Sequence, residues 1–76
     1  MTQEEVNELK GKTLKYCIGD VVYLKSDVKY TTPMTIIDYS LSEGSDYITR
    51  WLTIQKSIQQ NGFPEEALTI KPDNDI

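Results

Sequence analysis

Histidine is absent from this chain of 76 residues, and cysteine occurs once, as Cys17. That excludes every nucleophile–imidazole pair of the Ser-His or Cys-His kind. Cys17 has no imidazole to lower its pKa, and the nearest cation in sequence is Lys15. A buried structural thiol is therefore its expected role. Glu65 and Glu66 are adjacent carboxylates, a residue type suited to acid–base work. A catalytic pair must face one substrate, whereas neighbours in a turn point apart, so capping the amides of a tight turn is expected instead. The four glycines stand far apart, so no loop is built to cradle phosphate. A chain with one cysteine and no histidine offers zinc almost no ligands. The expectation is a protein without a catalytic residue, metal site or cofactor.

Recognition chemistry is better represented, by five tyrosines, Trp51 and Phe63. Tyrosine brings contact area and a polar tip at little rotamer entropy. Tyr23 alternates away from Val22 and Leu24, and Tyr39 away from Ile36 at the end of its strand. Both are expected to face outward, as is Tyr30 in a loop. Phe63 is expected in the core, and Trp51 either there or beside the two tyrosines. Tyr23, Tyr39 and Trp51 thus form the candidate contact face for another protein or a peptide. Cation–π and polyproline contacts give such a face its physical basis.

A second candidate surface is electrostatic. Net charge is −4, unevenly spread. Residues 10–29 hold Lys10, Lys12, Lys15, Lys25 and Lys29 against Asp20 and Asp27, with acidic stretches before and after. These five lysines are the candidate site for nucleic acid or a ribosomal surface. General nucleic-acid affinity is nevertheless expected to be weak, because it depends on cations neutralising phosphates and the total is acidic.

The bulk numbers describe the body that must hold these residues. Seventy-six residues make one domain, with a small core that buries roughly 60% of the unfolded surface. A single cysteine fits a reducing compartment. No apolar run approaches the ~20 residues of a membrane span. The N-terminal acids Glu4, Glu5 and Glu8 oppose a signal peptide, which begins with positive charge. A cytoplasmic location is therefore expected.

Thr2-Gln3-Glu4-Glu5 matches a capping box, and Gly11 is a natural stop, so the spacing predicts a helix from Gln3 to Lys10. Val6 and Leu9 share a face that must dock for so short a helix to persist. Strand signals come next: Val21–Lys25, Met34–Tyr39, Tyr47–Leu52, Ile54–Gln60 and Leu68–Lys71. Ser26–Thr32 reads as a mobile polar loop, and Asn61-Gly62 as a close or kink of the fourth strand. Pro64-Glu65-Glu66-Ala67 reads as one 3₁₀ turn. Five short strands with a turn before the last predict a mainly β fold, a small SH3-like five-stranded barrel. An OB-fold is the main competitor and usually needs longer strands. The expected layout is a helical extension over 1–13, the barrel over 14–71 and a frayed acidic tail over 72–76. Val22, Leu24, Ile36 and Leu68 are the expected core.

The ordered segments Gly19–Ser26, Pro33–Ile37, Arg50-Trp51 and Phe63–Leu68 resemble the YodC-like family of small bacterial proteins. The resemblance covers roughly residues 16–71. It implies a fold and carries no activity. Three features depart from the family pattern: Thr49 stands where a cysteine often precedes the tryptophan, the Asp27–Thr32 loop is longer, and the 2–10 segment is an addition. Function is thus read as a small non-enzymatic protein- or peptide-binding adaptor. The alternatives are a nucleic-acid or ribosome-associated barrel and a structural homo-oligomer, and the sequence leaves the oligomeric state open.

Overall fold

A computed structural model of the chain describes residues 2–72; the tail expected over 72–76 lies, beyond Pro72, outside the described residues. Helix α1 spans Gln3–Lys10. After it come strands β1 (Val21–Leu24), β2 (Met34–Tyr39), β3 (Tyr47–Leu52), β4 (Ile58–Phe63) and β5 (Leu68–Thr69), with a 3₁₀ turn at Glu65–Ala67 before the last. All pairs are antiparallel and the sheet order is β4-β3-β2-β1-β5. The sheet curls into a half-barrel, the small SH3-like architecture with a 3₁₀ turn leading to a last strand that pairs with the first.

The helix begins and ends where local chemistry dictates. The Thr2 hydroxyl accepts from the Glu5 amide at 3.2 Å, and the Glu5 carboxylate accepts from the Thr2 amide at 3.1 Å. Gly11 closes the helix at φ 69°, a left-handed conformation that glycine adopts without a Cβ penalty. The short helix persists because it docks. Val6 is fully buried, Gln3 Nε2 donates to the Leu14 carbonyl at 2.7 Å, and Asn7 Oδ1 accepts from the Leu14 amide at 2.7 Å. Leu9, expected on the docking face, is instead exposed.

The core joins Val6, Leu14, Tyr16, Val22, Met34, Ile36, Tyr39, Tyr47 and Leu68. Leu24, Trp51 and Phe63 are half-buried against it. Residues 14–17 alternate, so buried Leu14 and Tyr16 put Lys15 and Cys17 outside. Cys17 is therefore an exposed thiol and no part of the core, contrary to expectation.

Tyr39 is the larger correction. Its ring is buried and packs on Tyr47 at a centroid distance of 6.1 Å. Strict alternation from Ile36 would turn it outward, but the β2–β3 register shifts between Ile36 and Asp38. A bulge inserts one residue and reverses the facing of the residues after it. Burial holds the Tyr39 phenol above its usual pKa.

The fourth strand starts later than its apolar pattern suggested. Ile54 lies in the β3–β4 hairpin loop and is 96% exposed. The loop closes through Thr53 N donating to Ser57 O at 2.8 Å, and Lys56 takes a left-handed φ of 67°. Asn61-Gly62 continues the strand rather than ending it. A Cβ at Gly62 would lie 3.2 Å from Ser45 Cβ, so glycine lets β4 lie close against the β2–β3 loop. β5 stops at Thr69, two residues short of Lys71. The loop expected to be mobile is tied: Asp27 accepts from the Thr31 amide at 3.1 Å, the Thr31 hydroxyl at 2.9 Å and the Thr32 amide at 2.9 Å.

Candidate functional site

The three aromatic candidates are not brought together. Tyr39 lies in the core. Tyr23 is half-buried and meets Tyr30 edge-on, with centroids 5.3 Å apart. Trp51 is half-buried and packs on Phe63 at 6.2 Å. Each ring therefore has a different aromatic neighbour, and Trp51 borders open concave surface. It lines a cavity of about 480 Å³ on the outer face, a smaller one of about 140 Å³ with Leu24, Met34 and Phe63, and a third beside the β3–β4 loop.

The five lysines are not gathered either. Lys10 and Lys12 converge on Asp46, whose side chain is almost fully buried. Lys10 Nζ lies 3.2 Å from Asp46 Oδ1, and Lys12 Nζ 2.9 Å from Oδ2. Lys10 also donates to the Ser45 carbonyl at 2.7 Å. Lys15 and Lys25 border a cleft that also holds Glu65 and Glu66, where opposite charges meet. Lys29 is exposed in the β1–β2 loop.

Asp46 belongs to a polar clamp that the sequence did not announce. Its Oδ2 accepts from the Glu65 amide at 2.8 Å, so Asp46 supplies the bond at the 3₁₀ turn that Glu65 or Glu66 was expected to make. The turn has no side-chain cap of its own. Glu65 instead accepts from the Tyr47 hydroxyl at 2.7 Å and from the Lys15 amide. That hydroxyl in turn accepts from the Lys15 and Tyr16 amides at 3.0 and 2.9 Å. Burial pushes the Asp46 carboxyl up, but the Glu65 amide, Lys12 and Lys10 outweigh it, and the net shift is downward. Burial, reinforced by Glu65, raises the Tyr47 phenol far above its usual range. Among the described residues no buried side-chain polar atom lacks a partner. A fully satisfied network of this kind holds structure.

The remaining surface is of another kind. Register aligns Val21, Thr35, Arg50 and Gln60 in one row across four strands. Leu52 and Ile58 pair in the next row on the same face. With Pro33, Ile37 and Trp51 these residues, apart from Gln60, line the cavity of about 480 Å³. Val21, Leu52 and Ile58 are 48%, 55% and 67% exposed, and with Pro33 and Ile37 they give one cavity a mostly apolar lining around Thr35 and Arg50. Arg50 is the one charged residue in the lining. Its Nε and Nη2 both donate to Gln60 Oε1, at 3.2 and 2.8 Å. The alternation Ile48, Arg50, Leu52 was visible in the sequence. The cavity was not, because it arises from four strands laid side by side.

Among the described residues no three His, Cys, Asp or Glu side chains gather as metal ligands, and no helix is long and apolar enough to cross a membrane. No family model, curated protein or solved structure matches the chain.

Proposed function

We propose that the protein is a small non-enzymatic binding domain that recognises another protein or a peptide through the outer face of β1–β4. The observation that carries this reading is the mostly apolar cavity lining that joins Val21, Leu52 and Ile58 beside Trp51, exposed on a fold whose other apolar rows are packed inside. Contiguous apolar surface rimmed by polar groups marks contact sites. Trp51 borders the same cavity from the strand position between Arg50 and Leu52, with its ring packed on Phe63 against the core. Tyr23 and Tyr30 form a separate aromatic pair that is not part of this cavity lining. The non-enzymatic part of the reading rests on the lack of histidine and on Glu65, which shares a cleft with Glu66 but is bonded to the Tyr47 hydroxyl and the Lys15 amide. A cytoplasmic setting and kinship with the YodC-like family belong to the same proposal, on the strength of Gly19–Ser26, Pro33–Ile37, Arg50-Trp51 and Phe63–Leu68.

An NMR titration of the full chain with a pool of extended nine-residue peptides tests it. Amide shifts are expected at Val21, Ile37, Leu52 and Ile58, with a change in emission from Trp51. Shifts confined to Lys15, Lys25 and Lys29, or sub-micromolar affinity for duplex DNA at ~150 mM salt, would move the function to the basic stretch.

A further inference from the structure

The sheet has two edges, and they are not alike. β5 presents two residues. β4 presents six, Ile58–Phe63, with its register to β3 unbroken from Leu52↔Ile58 to Tyr47↔Phe63. Long edges are ordinarily defended against pairing by charge, proline, a bulge or a covering element. β4 contains no charged residue and no proline, its register shows no bulge, and Ile58 to Asn61 are all exposed. The outer-face cavity of about 480 Å³ runs to this edge through Leu52 and Ile58.

One arginine stands beside that edge. Arg50 reaches across its own strand to Gln60 on β4, which places the guanidinium next to the open side of the sheet. Among the described residues Arg50 makes no ion pair. A strand added beyond β4 would lie about 4.8 Å away. Its residue opposite Gln60 would share the outer face with Arg50, and the residue two positions along would sit over Ile58 and Leu52. We propose, resting on the binding function assigned to this face, that the free edge of β4 takes up an extended peptide as an added strand. That peptide carries a carboxylate for Arg50 and, two positions away, an apolar side chain for Ile58 and Leu52. Main-chain pairing gives such a mode its affinity and alternate side chains its selectivity. A second copy of this chain fits the edge less well. Self-pairing would bring Gln59, Gln60 and Asn61 to the edge, and β4 offers Arg50 no acid.

Selection of a random nine-residue peptide library, displayed on phage, against the immobilised full chain at ~150 mM salt tests the proposal. Enriched sequences are expected to share Asp or Glu with a β-branched or aromatic residue two positions away. The affinity of one such synthetic peptide should fall at least ~10-fold with R50E, and R50E used as bait should enrich Lys or Arg at the same position. N-methylation of alternate peptide amides should abolish binding in one phase and leave it unchanged in the other, because only one edge of the peptide faces β4. Peptides that bind regardless of R50E and of either N-methyl phase, yet are lost on L52S/I58S, would overturn strand addition and leave the binding face standing. Enrichment of no peptide would overturn both. A chain that sediments as a dimer and becomes monomeric on I58K would give the edge to a second copy and overturn the proposal.

Discussion

Strand β3 begins in one environment and ends in another. At its start, Tyr47 is fully buried and its hydroxyl joins three partners from two other segments. Its neighbour Asp46 gathers two lysines from the helix end and the amide of the 3₁₀ turn. At its finish, Leu52 is 55% exposed, facing Ile58 across an uncovered edge strand. The first end ties three distant pieces of chain together, and its polar groups are all occupied. The second leaves apolar area in water, which on a small domain is unfavourable by roughly 25 cal/mol per Å². On the proposed function, a fold that satisfies one end so fully and leaves the other bare separates stability from recognition along six residues.

The largest effect belongs to the clamp. Asp46→Ala leaves Lys10 without its carboxylate and the Glu65 amide without its acceptor. Breaking a buried, hydrogen-bonded charge pair costs several kcal/mol, and about 3 kcal/mol is expected here in urea denaturation. That is a large share of the stability of a small domain. A midpoint indistinguishable from the parent would mean that the helix and turn hold without the clamp. Tyr47→Phe is the next step down. It keeps the ring in the core but strands the Tyr16 amide and leaves the Lys15 amide and the Glu65 carboxylate only each other, at an expected cost of about 1–3 kcal/mol. If this variant matched the parent, the hydroxyl network would be incidental to the packing of Tyr47 on Tyr16 and Tyr39.

Acid should act on the same end. The folded Asp46 pKa lies below its unfolded value of ~3.9. Its contribution is therefore complete above pH ~4 and is lost as pH falls through the lower folded value. Asp27 and Glu5 are lowered as well, each first by backbone amides, so the parent's acid limb sums several groups. Asp46→Asn should be less stable than the parent near neutrality, with the difference narrowing toward pH ~2. A difference that stays constant with pH would assign the loss to shape and not to charge.

Some of this was legible in the residues. Thr2, Glu5 and Gly11 specify a helix by local chemistry, and the helix runs over the residues predicted. Val22 and Ile36 lie in the core where period-two alternation put them, Leu68 lies there as the expected anchor of the last turn, and Leu24 is only half-buried against it. The failures share a cause in non-local geometry. Tyr39 turned inward because a bulge at Ile36/Asp38 broke the alternation, and nothing in Thr-Ile-Ile-Asp-Tyr marks a bulge. Ile54 was placed in a strand because its loop lacks glycine and proline and uses Lys56 at positive φ. Nothing around Asp46 in the sequence marks its role, because its partners lie 34 and 19 residues away. The candidate face fared likewise. Trp51 was named from its type, but Leu52 and Ile58 come side by side only through register, and Val21 joins them only as part of one cavity lining.

The smallest effect on stability should come from the open end, and it is the one that sharpens the contrast most. Leu52→Ser with Ile58→Ser removes two exposed apolar side chains and touches neither the core nor the clamp. Surface changes of this kind usually fall within about 0.5 kcal/mol. The double variant should therefore melt with the parent while losing peptide-induced shifts at Val21 and Ile37 and the emission change of Trp51. Ile54→Ser, in the loop and 96% exposed, serves as the control for an apolar residue outside the row. It should change neither stability nor those shifts. If Leu52→Ser/Ile58→Ser instead unfolded the chain, the pair would be holding the sheet together, and the division of labour along β3 would fail. If it folded and bound peptide as the parent does, the contact face would lie elsewhere, and the exposed row would be ordinary sheet surface.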